Sequence, residues 1–184
     1  MILPMYIIGQ PVLRGMAEEI PTDYPQLQEL IQNMFETMQK ADGVGLAAPQ
    51  IGLGIRLFVI DLDVLSDDMP EYKDFLHAYI NPEIIEESEE TETFEEGCLS
   101  VPGIHETVRR PASVHVKYLD EHLEPHDEWI DGFQARVFQH EYDHLEGKLF
   151  IDRISGLRKQ LIKKKLISMS KGHVDCSYKI KVNH

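Results

Sequence analysis

Gln139-His140-Glu141-Tyr142-Asp143-His144 is the stretch on which the predicted fold depends, because its His-Glu-x-x-His pattern requires a helix. Residues four apart on an α-helix lie on the same face, so His140 and His144 can direct two imidazoles at one metal ion. Glu141 follows the first ligand, where its carboxylate can reach water held by that metal. The pattern therefore predicts a helical metal centre. The alternative is a solvated helix face that carries two titrating histidines.

The residues around the motif favour a central helix. Apolar side chains recur there at helical spacing, as expected for a helix that packs against a core. They are Phe133, Val137, Phe138, Tyr142 and Leu145. Asp131 and Gln134 predict a capping box at the start of this helix, and Gly147 predicts its end.

The rest of the chain predicts an α+β fold. Apolar residues between Leu27 and Met38 follow three- and four-residue steps, which predicts an N-terminal helix. Residues 55–62, 76–85 and 113–119 are rich in β-branched and apolar side chains and predict strands, the second interrupted by Asn81-Pro82. Ser155 is a candidate cap for a C-terminal helix. We expect antiparallel β-sheets packed around the central metal-binding helix.

Length and charge indicate one domain with an unusual tail. The 184 residues suit a single catalytic domain, 1–184, and no linker or repeat divides them. Residues 153–184 are predicted to form a basic helix and tail, with nine Lys or Arg and one acid, which gives them a net charge of +8. Because the whole chain has a net charge of −14, subtracting this +8 leaves −22 on the remaining residues. An acidic body disfavours general nucleic-acid binding, so no specific nucleic-acid sequence is expected as a partner.

Composition also bears on the compartment. No run reaches the ~18 apolar residues of a transmembrane helix, so no membrane partner is expected. Residues 1–9 are apolar but short and lack a basic flank, so they do not indicate a signal peptide. The two cysteines, Cys98 and Cys176, fit a reducing environment and predict a cytoplasmic protein.

A catalytic metal site needs a third protein ligand. The third ligand could be a histidine three residues after Gly147, but that position holds Phe150. It could also be a glutamate downstream of the motif, but no glutamate occurs after Glu146. Cys98 is the best remaining candidate, since a thiolate binds Zn²⁺ or Fe²⁺ well. The alternative for Cys98 is a buried structural cysteine.

The glycine-rich segment 43–52 predicts a loop that lines a substrate site. Its glycines and alanines permit close backbone approach, and Gln50 is its one polar side chain available to donate a hydrogen bond. A Gly-Lys-Ser/Thr ending is missing, which excludes a nucleotide cradle. The alternative is a tight turn with Gln50 facing solvent.

Three segments in order resemble the signature motifs of the peptide deformylase family: residues 43–50, 96–100 and 139–144. The resemblance implies that Cys98, His140 and His144 bind one divalent metal, natively Fe²⁺, with Zn²⁺, Ni²⁺ or Co²⁺ as possible replacements. It also implies that Glu141 is the general base and acid, and that Gln50 and the backbone N–H of Leu99 stabilise the oxyanion.

The same resemblance implies the reaction, which is hydrolysis of the N-terminal formyl group of formyl-methionyl nascent peptides with release of formate. Gly43, Val44 and Gly45 are then expected to pair with the extended substrate, and Phe133 and Val137 to accept its methionine side chain. Two alternatives are a metallopeptidase or amidase of related chemistry, and a metal- or peptide-binding module without turnover. The intact Glu141 disfavours the second, because binding alone does not require it.

Two further expectations concern charged residues. An ion pair between Glu96 and Arg110 is expected to hold the loop that carries Cys98. The C-terminal helix is expected to turn an apolar stripe to the core and a cationic face toward a polyanion, for which the ribosome is the natural candidate. The expected stripe consists of Leu157, Leu161, Ile162 and Leu166, and the expected cationic face of Arg158, Lys159, Lys163, Lys164 and Lys165.

Overall fold

The structure is a computed structural model that describes residues 1–182, and three α-helices and nine β-strands occur within them. In chain order the elements are β1 (Met5–Tyr6), α1 (Leu27–Lys40), β2 (Gly45–Ala47), β3 (Leu57–Asp61), β4 (Leu76–Glu87), β5 (Thr91–Cys98), β6 (Val101–Pro111), β7 (Val114–Leu119), β8 (Pro125–Ile130), α2 (Gly132–Leu145), α3 (Gly156–Ser170) and β9 (Ile180–Lys181). The predicted tail extends to residue 184, and residues 183 and 184 lie outside the described part.

A five-stranded antiparallel sheet separates helices α1 and α2. Its strand order is β2-β3-β4-β7-β8, so β2 lies at one edge. Strand β3 is buried along its whole length, and successive side chains point to opposite faces. Leu57 and Val59 join the cluster that contains the buried face of α1, whereas Phe58 and Ile60 join the cluster that contains α2. The sheet thus has an apolar core on each face.

Helix α2 is the central helix that its sequence predicts. Nine of its residues are buried, and Phe138 places its ring 5.1 Å from the ring of Phe58 and 5.2 Å from that of Tyr79. The helix ends where Gly147 takes a positive φ of 73°, a conformation that glycine adopts without strain, so the predicted C-terminal stop is confirmed. The predicted capping box is wrong: Asp131 precedes the helix, but its side chain makes no capping hydrogen bond.

The second sheet is the β5–β6 hairpin, which ends at the candidate ligand. Its register is regular from Thr91 opposite Pro111 to Gly97 opposite His105, and then shifts so that Cys98 pairs with Val101. At this irregularity the end of β5 leaves the regular ladder, and Cys98 lies beside His140 and His144 of α2. The acidic segment 83–96 forms the end of β4, a turn and most of β5.

The α+β class with antiparallel sheets around α2 is confirmed, with two differences in detail. Strand β4 continues through Asn81 and Pro82, because Asn81 adopts a φ of 50° and the pairing with β7 shifts register there. The short β1 and β9 pair in parallel, which the sequence did not predict.

Helix α3 differs from the prediction in the face that it buries. Ser155 caps the helix as expected, since its hydroxyl accepts a hydrogen bond from the Arg158 N–H at 3.2 Å. Ile162 and Met169 are buried and Leu166 packs against the core cluster that contains them, so the expected stripe is confirmed at Ile162 and Leu166. It is wrong at Leu157 and Leu161, which are 68% and 63% exposed. Neighbouring residues on a helix are about 100° apart, so Leu161 lies on a different face from Ile162.

No helix within residues 1–182 is both long and apolar enough to cross a membrane.

Candidate metal centre

One hairpin residue and two helix residues bring three ligand atoms together. The Sγ of Cys98 and one ring nitrogen each of His140 and His144 all lie within 4.8 Å of one another. The Cys98 Sγ is 3.4 Å from the His144 Nε2. One thiolate and two imidazoles form a donor set that suits Zn²⁺, Fe²⁺ and related divalent ions, so these residues fit a catalytic metal with a position left for substrate.

The His140 ring is oriented by a buried carboxylate. Its Nδ1 lies 2.8 Å from the Glu96 Oε1, which leaves Nε2 as the free nitrogen beside the other ligands. Burial acts to raise the pKa of Glu96, but hydrogen bonds from His140 and Arg110 outweigh it and hold that pKa well below its usual range. Glu96 is therefore a charged partner that fixes this ligand.

Two arginines hold Glu96 in turn. Arg110 donates from Nε and Nη2 to its two oxygens at 2.7 and 2.9 Å, which confirms the expected ion pair, and Arg136 adds a third bond at 2.7 Å. Arg110 is 1% exposed and also donates to Asp143 at 2.9 Å, while Arg153 binds the same carboxylate at 2.7 Å. The hairpin that carries Cys98 is thus joined to α2 through paired, buried charges.

Glu141 is placed beside the ligands without joining them. Its side chain is buried, and its Oε1 lies 3.9 Å from the His140 Nε2. Burial raises the pKa of the Glu141 carboxyl to about 7. Within residues 1–182, Glu141 Oε2 and His144 Nδ1 are the buried side-chain atoms without a hydrogen-bond partner. A buried carboxylate oxygen with spare acceptor capacity fits a group that receives a proton from water or substrate.

Gln50 points its amide at the ligands. It is 1% exposed, so the alternative of a solvent-facing Gln50 is wrong. The backbone N–H of Ala47 donates to its Oε1 at 2.9 Å, which settles the amide orientation. Its Nε2 then donates to the Ser100 Oγ at 3.1 Å and lies 3.5 Å from the Cys98 Sγ.

These groups share one cleft of about 460 Å³. The predicted site residues that line it are Gly43, Val44, Gly45, Gln50, Cys98, Leu99, Phe133, Val137, His140 and Glu141. His144 is 1% exposed and lies behind them, against Cys98.

The sequence interpretation missed several residues at this site. Arg136 also lines the cleft and lies one helical turn before His140, so helical spacing could have placed it there. Ser100 follows Cys98 by two residues and has no spacing signal of its own. Asp175–Tyr178 of the C-terminal segment line the same cleft, and their sequence has no periodicity that could have predicted this.

Comparison with known proteins identifies a family. The family model described as polypeptide deformylase matches residues 2–160. A peptide deformylase of Christiangramia forsetii is 50% identical over 98% of this chain and 96% of its own length. A peptide deformylase of Cytophaga hutchinsonii is 46% identical over 98% and 97% of the two chains.

Solved structures agree with these relatives. The structure of a peptide deformylase from Legionella pneumophila has a TM-score of 0.80 and 40% identity, and the match covers 93% of this chain and 96% of that one. That of peptide deformylase from Thermotoga maritima has a TM-score of 0.76 and 44% identity, and the match covers 84% of this chain and 99% of that one.

Proposed function

The chain belongs to the polypeptide deformylase family, and from that premise we propose how its cleft removes the formyl group of formyl-methionyl nascent peptides. The protein is a hydrolase whose products are formate and a peptide with a free N-terminus. The residues with proposed catalytic, metal-binding or substrate-binding roles are those that the sequence singles out, and they lie within a single catalytic domain. The observation that carries it is the meeting of Cys98, His140 and His144 within 4.8 Å, with the Glu141 carboxylate beside them.

Cys98, His140 and His144 would hold the metal ion. A divalent cation bound there supplies Lewis acidity, which polarises the formyl oxygen and makes water a better nucleophile. Glu96 holds His140 in the orientation that presents Nε2, and Arg110 and Arg136 hold Glu96.

Glu141 moves the proton. Its buried carboxylate takes a proton from the attacking water and returns it to the amine that leaves, so one group serves as base and then as acid. Negative charge develops meanwhile on the formyl oxygen. The Nε2 of Gln50 and the backbone N–H of Leu99 are the donors that stabilise that charge, and the Gln50 amide is already fixed through Ala47 and Ser100.

The substrate is proposed to lie along β2. In the described residues this strand pairs only with β3, so its other edge is free to bind an extended peptide. Gly43, Val44 and Gly45 line the cleft on that side, and Phe133 and Val137 line it from α2, the helix that carries His140 and Glu141. The two apolar side chains provide a surface for the methionine side chain.

The direct test is formate release from formyl-Met-Ala-Ser by the wild type and by Glu141→Gln. The variant keeps the shape of the side chain but cannot take a proton, so kcat should fall by about 10²–10⁴-fold with metal content unchanged. Hydrolysis of unformylated peptides without formate release would indicate a metallopeptidase instead. Loss of metal in proportion to activity would show that Glu141 is a ligand.

We propose Fe²⁺ as the native metal and Zn²⁺, Ni²⁺ or Co²⁺ as functional replacements, because one thiolate and two imidazoles bind all four. Cys98→Ser should lower the metal content of protein purified without oxygen and abolish formate release, since a neutral hydroxyl is a poor ligand. A variant with full metal content and normal turnover would exclude Cys98 as a ligand.

We also propose that the enzyme works in the cytoplasm and docks on the ribosome through α3. The helix exposes Leu157 and Leu161 next to Lys163, Lys164 and Lys165, which forms a mixed apolar and cationic surface on an acidic molecule. Such a surface is attracted to a polyanion, and the attraction weakens with added salt.

Co-sedimentation with ribosomes at two salt concentrations tests this docking. Changing Lys163, Lys164 and Lys165 to Glu should abolish sedimentation at low salt. The matched control changes Lys40, Lys73 and Lys117 to Glu, which are exposed and lie outside α3. Docking is excluded if the two triple variants sediment alike while both still deformylate a free peptide.

A further inference from the structure

The segment after α3 forms one wall of the catalytic cleft. Asp175–Tyr178 line the same cleft as Cys98 and Glu141. The match to the family model ends at residue 160, so this wall comes from a part of the chain beyond it. None of the residues proposed to act in deformylation belongs to this segment.

The segment is tied to the ligand loop through β1. Strand β9 pairs with β1, and the Met5 N–H donates to the Lys179 carbonyl at 2.8 Å. On its other side β1 is bonded to Ser100, whose hydroxyl donates to the Tyr6 carbonyl at 2.7 Å and whose carbonyl accepts from the Ile8 N–H at 2.9 Å. The position of the segment relative to Cys98–Ser100 is therefore set by backbone hydrogen bonds and by the Ser100 hydroxyl.

A direct contact adds to this link. The Tyr178 hydroxyl donates to the Leu99 carbonyl at 2.7 Å, and both side chains pack against the core cluster beneath α1. Leu99 is the residue between the cysteine ligand and Ser100, and its N–H is the proposed oxyanion donor. A bond that fixes the carbonyl of Leu99 restricts the backbone of this residue, and so restricts the direction of its N–H.

The same wall carries charge at the mouth of the cleft. Asp175 is exposed there, as are Asp42 and Glu95. The one arginine of the cleft, Arg136, is buried and paired with Glu96, so it does not offset them. The mouth therefore has a negative potential that attracts cationic groups.

We propose that Asp175–Tyr178 form the wall that meets the substrate beyond its formyl-methionine, with Tyr178 as a positioning residue for Leu99 and Asp175 as a determinant of preference for cationic downstream residues. The proposal rests on the function proposed above. It extends that function from the formyl group to the rest of the peptide.

Tyr178→Phe tests the positioning role. Removal of one hydroxyl should lower kcat for formyl-Met-Ala-Ser by about three- to tenfold, the effect of one lost hydrogen bond, with KM and metal content unchanged and with a melting temperature lowered no more than in the matched control. Tyr118→Phe is the matched control, because the Tyr118 hydroxyl also donates a hydrogen bond, to Glu128 at 2.6 Å, outside the cleft. An unchanged kcat, or a loss explained by lost metal or by unfolding, would overturn the positioning role.

Asp175→Asn tests the preference. The wild type should cleave formyl-Met-Ala-Lys with a higher kcat/KM than formyl-Met-Ala-Glu, and the variant should reduce that ratio by about two- to fivefold, as expected for one exposed charge pair. Asp67→Asn makes the same change of charge at an exposed residue away from the cleft and should keep the ratio. A ratio unaffected by Asp175→Asn, in an enzyme that still releases formate, would overturn the preference without affecting the proposed function.

Discussion

Gly45 shows how closely strand β2 approaches the carboxylate of Glu141. A Cβ atom at this position would lie 2.8 Å from the Glu141 Oε1, closer than real Cβ contacts allow, and 3.0 Å from its Cδ. Glycine is therefore required at this position because it has no side chain. The backbone of β2 and the Glu141 carboxylate can lie side by side only because no Cβ atom separates them.

At the residue scale we expect Gly45→Ala to impair catalysis with little effect on metal content. The new methyl group must push the Glu141 carboxylate aside, and a misplacement of that size can lower kcat by about tenfold to a hundredfold. Steady-state kinetics on formyl-Met-Ala-Ser measures the loss. Gly54→Ala is the control, because a Cβ there meets no atom within 4 Å. Equal kinetics for the two variants would show that Glu141 tolerates displacement.

At the scale of elements, the hairpin and α2 are joined by charges that are buried but well paired. Arg110 contributes to both sides, through Glu96 on β5 and Asp143 on α2. Removal of one charged side chain from such a network leaves its partners as buried charges that are no longer neutralised. The resulting loss of stability is larger than the net stabilisation that the intact ion pair provides.

We therefore expect Arg110→Met to lower the free energy of unfolding by about 3–5 kcal/mol, as for other broken buried ion pairs. Urea denaturation measures this change. Arg109→Met alters the neighbouring residue, which is exposed and donates to Thr91 at 2.8 Å, and should change stability by no more than about 0.5 kcal/mol. Similar losses in both variants would argue against a special role for the network.

The same elements show how far sequence reasoning extends. Helix α2 and its site residues could be predicted because the ligand spacing and the apolar spacing share one helical period. The buried face of α3 could not, because its apolar residues occur on more than one side and tertiary packing chooses between them. The path of β4 through Asn81 could not be predicted either, because it depends on a left-handed backbone conformation in the middle of the strand. The role of Tyr178 could not be predicted because it depends on a contact with Leu99, which is far away in the chain.

At the scale of the whole molecule, the metal ion is expected to act as a stabilising ligand. It would bridge the β5–β6 hairpin and α2, and an ion present at a hundred times its Kd stabilises the folded state by about 2.7 kcal/mol. Removal by a chelator should therefore lower Tm by roughly 5–10 °C for a domain of this size. Calorimetry with and without chelator measures the shift.

Cys98→Ser provides the comparison for this experiment, since its melting should respond little to the chelator. An equal shift in the wild type and the variant would mean that the chelator acts elsewhere on the protein. A wild type that melts at the same temperature in both conditions would mean that the metal adds nothing to stability.

The pairing of β1 with β9 also has a consequence for the order in which the molecule is made. Met5 is synthesised long before its partner Ile180, because almost the whole described chain lies between them. Contacts between residues so distant in sequence form late, because the entropy of closing the intervening loop must be overcome first. An enzyme that processes newly made chains therefore completes the wall of its own cleft only after the ribosome has added residue 181.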